Sequence, residues 1–233
     1  MKLKALFSVI LFIGITAISV IPGNFAAVQA NAPADALNTV LANIETTSRQ
    51  MTGLQATVSH QRTNGQLNIK DPKQVGTLLY KPGSVRRMRI DYTQPQPKVV
   101  AENGDKGLLF ERNLNQVFLS TVSKVASKAG SSGILSILNS AAQLKEKFDI
   151  KLVGNEGFNG MQTTHLTLTP KAQDGFTRIE VWIDTRTWLP VRQIFYERNR
   201  DFTEVTLSNI IFNPKLSDKQ FDVDYGKAKV IKG

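Results

Sequence analysis

The stretch LLYKPGSVRRMRIDY, residues 78–92, alternates apolar and polar positions with a period of two on both sides of Pro82-Gly83. Leu78 and Tyr80 share one side before the turn, and Met88, Ile90 and Tyr92 share one side after it. Arg87, Arg89 and Asp91 fall opposite. That pattern predicts a half-buried antiparallel hairpin. It recurs in LQATVSH, PKVVAEN, KGLLFER, QVFLSTV, DIKLVGNEG, MQTTHLTLTP, FTRIEVWID, LPVRQIFYER and FTEVTLSNIIF. Turn chemistry separates these runs at Asn64-Gly65, Asp71-Pro72, Asn103-Gly104 and Asn159-Gly160. Most of the connections are too short for crossover helices, so the strands pair as hairpins. A sheet of ten to eleven such strands curls into a barrel or sandwich. In FTRIEVWID the alternation sets Ile179, Val181 and Ile183 on one face and Trp182 on the other with Arg178 and Glu180.

Two segments have a helical period instead. Leu37, Val40, Leu41 and Ile44 recur at i, i+3, i+4 and i+7, with Gly53 closing the segment. Farther along, a Gly/Ser stretch around residues 130–133 leads into Ile134, Ile137, Leu138, Ala141 and Leu144 at the same spacing. Residues 134–144 carry no charge, so that helix is expected to be covered on most of its surface. The tail after Phe221 reads as a frayed basic end.

Residues 1–30 read as an export leader. Lys2 and Lys4 precede an uncharged apolar run, and Val28 and Ala30 place small residues before a cleavage point after Ala30. Residues 31–233 then form a single domain of ordinary size. The chain has no cysteine, which excludes both a disulfide framework and a lipidated N-terminal cysteine. Its net charge is +10, of which the leader carries Lys2 and Lys4. The surplus suits anionic headgroups, an acidic partner or simple solubility.

Chemistry is sparse. His60 and His165 sit in strand-like runs far from any ligand cluster, so no metal site and no cofactor is expected. No nucleophile elbow, dinucleotide loop or phosphate loop occurs, and no catalytic residue is assigned. Nucleic-acid binding is disfavoured, because Arg87 and Arg89 lie opposite the apolar and aromatic residues of their own strand. Binding of something apolar, or a purely structural sheet, is what the pattern leaves.

The run GTLLYKPGSVRRMRIDYTQPQPKVVAENGDKGLLF resembles the strand-turn-strand signature of LolA-type outer-membrane lipoprotein carriers. LTLTPK, IEVWIDTRTWLPVRQI and TEVTLSNIIFNPKLSDKQFDVD resemble the C-terminal half of the same family. The resemblance implies an unclosed antiparallel β-barrel, mainly β within the α+β class, with an N-terminal helix and an apolar lid helix. It also implies a monomeric periplasmic carrier, not an enzyme. The carrier takes lipoprotein acyl chains from an inner-membrane exporter to an outer-membrane acceptor and touches membrane surfaces only in passing. On that basis Leu78, Tyr80, Met88, Ile90, Tyr92, Leu108, Phe110 and Trp182 are the expected cavity residues. Ile134, Ile137, Leu138 and Ala141 are the expected lid. Lys81 stands where the best-known members carry an arginine before the turn proline that latches the lid, and it keeps the charge without the planar fork of donors. A lipid-binding sensor of the same fold and a periplasmic hydrolase on a β-scaffold are the alternatives.

Overall fold

The structure, a computed structural model, describes residues 32–129, 141–172 and 175–233. The leader and the lid positions Ile134, Ile137 and Leu138 lie outside the described residues. The chain opens with helix α1 (Ala32–Gln50), followed by strands β1 (Leu54–Asn64), β2 (Ile69–Lys70), β3 (Gln74–Lys81) and β4 (Arg87–Gln94). Then come β5 (Lys98–Asn103), β6 (Lys106–Glu111), β7 (Gln116–Thr121) and the short helices α2 (Val122–Ala129) and α3 (Ala141–Lys147). Strands β8 (Phe148–Phe158), β9 (Met161–Pro170), β10 (Phe176–Asp184), β11 (Pro190–Glu197) and β12 (Phe202–Phe212) complete the hairpin series, and β13 (Lys229–Lys232) ends it.

These strands form one sheet in the order β13-β7-β6-β5-β4-β3-β1-β12-β11-β10-β9-β8, with β2 paired to β1 alone. β13 and β8 are its two edges, so the sheet does not close. The count is 13, against the ten to eleven expected. β2 arises in a polar stretch without alternation. β13 arises in the tail expected to fray: Lys229, Val230, Ile231 and Lys232 pair with Gln116 to Leu119 of β7 in the parallel direction. One edge of an otherwise antiparallel sheet is therefore parallel. The β8–β9 turn follows its sequence closely, with both Asn159 and Gly160 at positive φ as a two-residue hairpin loop requires.

Side chains from one face of nearly every strand meet in a single apolar cluster. Leu54, Val58, Leu78, Ile90, Val100, Leu109, Leu166, Val181 and Leu207 belong to it, together with Leu41 and Ile44 of α1, Val125 of α2 and Leu144 of α3. Residues from both ends of the strand order share the cluster, so this is the inner face and the three helices cover it. The stripe expected for α1 does this packing, with Leu41 and Ile44 each 1% exposed. α2 is not among the expected elements, yet Val122, Val125, Ala126 and Ala129 follow the same i, i+3, i+4, i+7 spacing. Its approach to β6 depends on Gly107, where a Cβ would come within 2.8 Å of Val125.

Leu41→Ala removes a side chain that is almost wholly enclosed and should lower the unfolding free energy by about 2–5 kcal/mol. Urea titration followed by far-UV circular dichroism measures it. A loss of a few tenths would mean that α1 is not part of the core.

Candidate functional site: the helix-covered inner face

The structure brings together five of the eight expected cavity residues. Leu78, Tyr80, Met88, Ile90 and Tyr92 all lie on the inner face, in register across β3 and β4: Leu78 opposes Ile90, and Tyr80 opposes Met88. Ala141 of the expected lid is half-buried against the same cluster.

Leu108, Phe110 and Trp182 do not join them. Ile90 opposes Val100, and Val100 opposes Leu109, so it is Leu109 that faces inward from β6. Leu108 and Phe110 therefore point outward and pack with Val99, Val117 and Ala228. The run Leu108-Leu109-Phe110 is apolar throughout, so no alternation marks which residue turns in. Leu108 instead lines a cleft of about 200 Å³ on the outer face, beside Ala101, Leu119, Phe221 and Val223.

Trp182 also faces outward, as the period of its strand requires. Its neighbours are Val191 and Ile194, with Phe158 and Tyr196 at the margin. The His165 ring stacks on it at 4.2 Å between centroids, and the Arg192 guanidinium lies 4.4 Å from its ring on the strand opposite. Glu156 accepts a hydrogen bond from Trp182 Nε1 at 2.5 Å and faces His165 Nδ1 at 2.8 Å. His165 thus has a carboxylate neighbour that only strand pairing reveals. Among the described residues no cluster of three or more His, Cys, Asp or Glu is placed to hold a metal ion.

Lys81 has partners other than a lid. Its ammonium donates to the Leu216 carbonyl at 3.2 Å and to Asp218 Oδ1 at 2.8 Å, both in the C-terminal segment after β12. The hydrogen bond from Lys81, with Arg87 adding to it, holds the Asp218 carboxyl below the ordinary carboxylate range. Arg89 continues the grip, donating to the carbonyls of Gln220 and Asp222. The outward charges of β3 and β4 thus fasten the chain's own C-terminal segment.

One end of the inner face is polar, as the alternation already implies. His60 continues the inward row Leu54, Ala56, Val58. It opposes Gln74 on β3 and Val205 on β12, and its ring centroid is 6.4 Å from that of Tyr92. Lys98 opposes Tyr92 from β5, its ammonium 5.0 Å from the Tyr92 ring and donating to the Ala129 carbonyl at 3.1 Å. His60 and Tyr92 are 3% and 2% exposed. Both His60 nitrogens, the Tyr92 hydroxyl and Gln74 Oε1 lack a hydrogen-bond partner among the described residues. Burial, aided by the positive charge of Lys98, lowers the His60 pKa to about 4, although the Gln74 amide, close to the ring but outside hydrogen-bond geometry, and the Asp71 charge pull the other way. Burial also pushes the Tyr92 hydroxyl up and the Lys98 ammonium down.

His60 is consequently neutral in the fold at pH 7 and ordinary in the unfolded chain. The unfolded state binds the extra proton between pH 6.5 and about 4, so stability is full above 6.5 and falls as the pH drops through that window. The loss is about 1.4 kcal/mol per pH unit, about 3 kcal/mol in all. In urea titrations from pH 7 to 4, the wild type should lose that much relative to His60→Leu. A difference between the two that stays constant with pH would exclude a buried neutral imidazole.

Residues 42–224 match the family model of the outer membrane lipoprotein carrier protein LolA. Comparison with curated proteins gives no sequence match. Among solved structures, an uncharacterized conserved protein from Thermus thermophilus is similar with a TM-score of 0.59 and 14% identity, over 85% of this chain and 99% of that one. MucB is similar with a TM-score of 0.56 and 16% identity, over 85% of this chain and 66% of MucB, so about a third of MucB has no counterpart here. The MucA/MucB complex of Pseudomonas aeruginosa gives a TM-score of 0.50 at 16% identity, over 81% of this chain and 61% of that one. An unclosed sheet with a helix-covered apolar inner face, matched by the family model over most of its length, makes this chain a member of the LolA family.

Proposed function

We propose that the chain is a periplasmic carrier that shelters lipoprotein acyl chains against its inner face. It receives them from an inner-membrane exporter and yields them to an outer-membrane acceptor. The observation that carries this reading is the continuous apolar cluster of the inner face, covered by helices and not by strands. A strand closing the sheet would add a ladder of backbone hydrogen bonds, whereas a helix laid on the sheet is held by side-chain contacts and can leave as a unit. Each methylene withdrawn from water contributes about 0.8 kcal/mol, so a long acyl chain offers on the order of 10 kcal/mol for burial. That gain is set against the helix contacts given up on loading, and the difference between the two governs release. The stretch from Ile134 to Leu144 is the segment assigned to move, with Ala141 and Leu144 at its described end. Cleavage after Ala30 frees one domain, which works as a monomer and meets membranes only at transfer. No catalytic group or cofactor takes part.

A second reading, a lipid-binding sensor that engages a protein partner, is supported by the likeness to MucB, one of whose structures is a complex with MucA. The two separate in the cell. Depletion of a carrier strands lipoproteins in the inner membrane, which fractionation and immunoblotting would detect. Depletion of a sensor leaves their distribution unchanged. In both cases native mass spectrometry of the exported protein should show one bound lipid or lipopeptide. A protein that stays empty after incubation with a triacylated lipopeptide would sink both readings.

A further inference from the structure

The polar end of the inner face has more donors than its own residues use. Tyr92 brings a hydroxyl, neutral His60 one N–H, and Lys98 an ammonium whose one hydrogen bond among the described residues goes to the Ala129 carbonyl at 3.1 Å. Among the described residues no carboxylate lies within ion-pair distance of Lys98. Among the described residues, Gln74 Oε1 and the unprotonated His60 nitrogen are acceptors without a hydrogen-bond partner at this end. A buried polar atom without a partner is costly, and a fold keeps several together only where something else completes them. The shape of the site is set by backbone. Gly76 sits between Val58 and Tyr92, and a Cβ there would come within 2.5 Å of the Asp91 carbonyl oxygen, so glycine permits the close approach of β3 and β4 beside Tyr92, next to the register shift at Val75. Inward from Tyr92 the same row becomes apolar, through Ile90 and Leu78.

We propose that His60, Tyr92 and Lys98 form a subsite for the carboxyl-type oxygens at the head of a long acyl chain, with the chain lying along Leu78 and Ile90. This rests on the lipid-binding reading and adds direction to it: the head is recognised at the β4–β5 end, so the chain enters the inner face in one orientation. The head is either a free carboxylate or an ester carbonyl, since both present the acceptors these donors lack.

Fluorescence titration of the full exported chain with cis-parinaric acid, and separately with its methyl ester, tests this on the wild type, Tyr92→Phe and Lys98→Met. Tyr92→Phe removes a hydroxyl that has no hydrogen-bond partner among the described residues, so its melting temperature should be unchanged or higher while its affinity for the acid falls about tenfold. A group needed only for packing would not separate these two readouts. Loss of both probes in Tyr92→Phe, with Lys98→Met sparing the ester, supports a carboxylate head. Equal losses of both probes in both variants support an esterified one. Wild-type affinity for both probes in both variants overturns the subsite and leaves the lipid-binding reading standing. Failure of the wild type to bind either probe overturns that reading, and the subsite with it.

Discussion

An open sheet must hide one apolar face without the help of closure. A barrel does so by joining its edges, which commits every strand to the ladder. In this protein β8 and β13 remain unjoined, and the inner face is hidden by α1, α2 and α3. Helix cover differs from strand closure in the kind of contact that holds it. Leu41, Ile44, Val125 and Leu144 fasten the helices through dispersion and exclusion of water, which have no preferred partner. The described polar links are few, among them Thr47 to the Thr187 carbonyl and Lys145 to Asn38. A second apolar body can therefore replace a helix at the same surface with little change in free energy. The proposed carriage rests on that exchange of one apolar partner for another.

The outer face works differently. Its order comes from charge and aromatic stacking, with His165, Trp182 and Arg192 lined up across β9, β10 and β11. Lys81, Arg87 and Arg89 hold the C-terminal segment against β3 and β4. Much of the basic surplus is thus engaged within the molecule, and net charge alone overstates what is available to an anionic surface. The two faces differ in kind: the inner one is made of contacts without a preferred partner, the outer one of directional contacts that tie neighbouring strands together.

Most of the architecture is legible in the sequence because side-chain period and strand pairing are the same constraint seen twice. Met88, Ile90 and Tyr92 alternate along the chain and therefore face inward together. Legibility fails where that link is broken. Leu108, Leu109 and Phe110 are apolar on both sides of β6 because both faces of that strand are covered, one by α2 and the other by the C-terminal segment. β13 carries no period of its own and exists because β7 offers an unpaired edge. α2 has its stripe, but it is only two turns long and the Gly/Ser stretch beside it gives the whole segment the composition of a loop. The row Leu54, Ala56, Val58 already puts His60 among the buried side chains. That its ring has no hydrogen-bond partner among the described residues becomes visible only when β3, β4 and β5 stand beside it.

The chain's two tryptophans stand on opposite sides of the sheet. Trp182 is sealed into the outer-face stack, whereas Trp188, in the left-handed turn between β10 and β11, packs against the inner cluster. Intrinsic emission is accordingly a two-colour gauge supplied by the fold: one indole reports on the outer-face stack, and the other on the margin of the inner cluster. Any rearrangement of the inner face, the proposed loading included, can be followed optically with no label added, once the outer indole has been silenced.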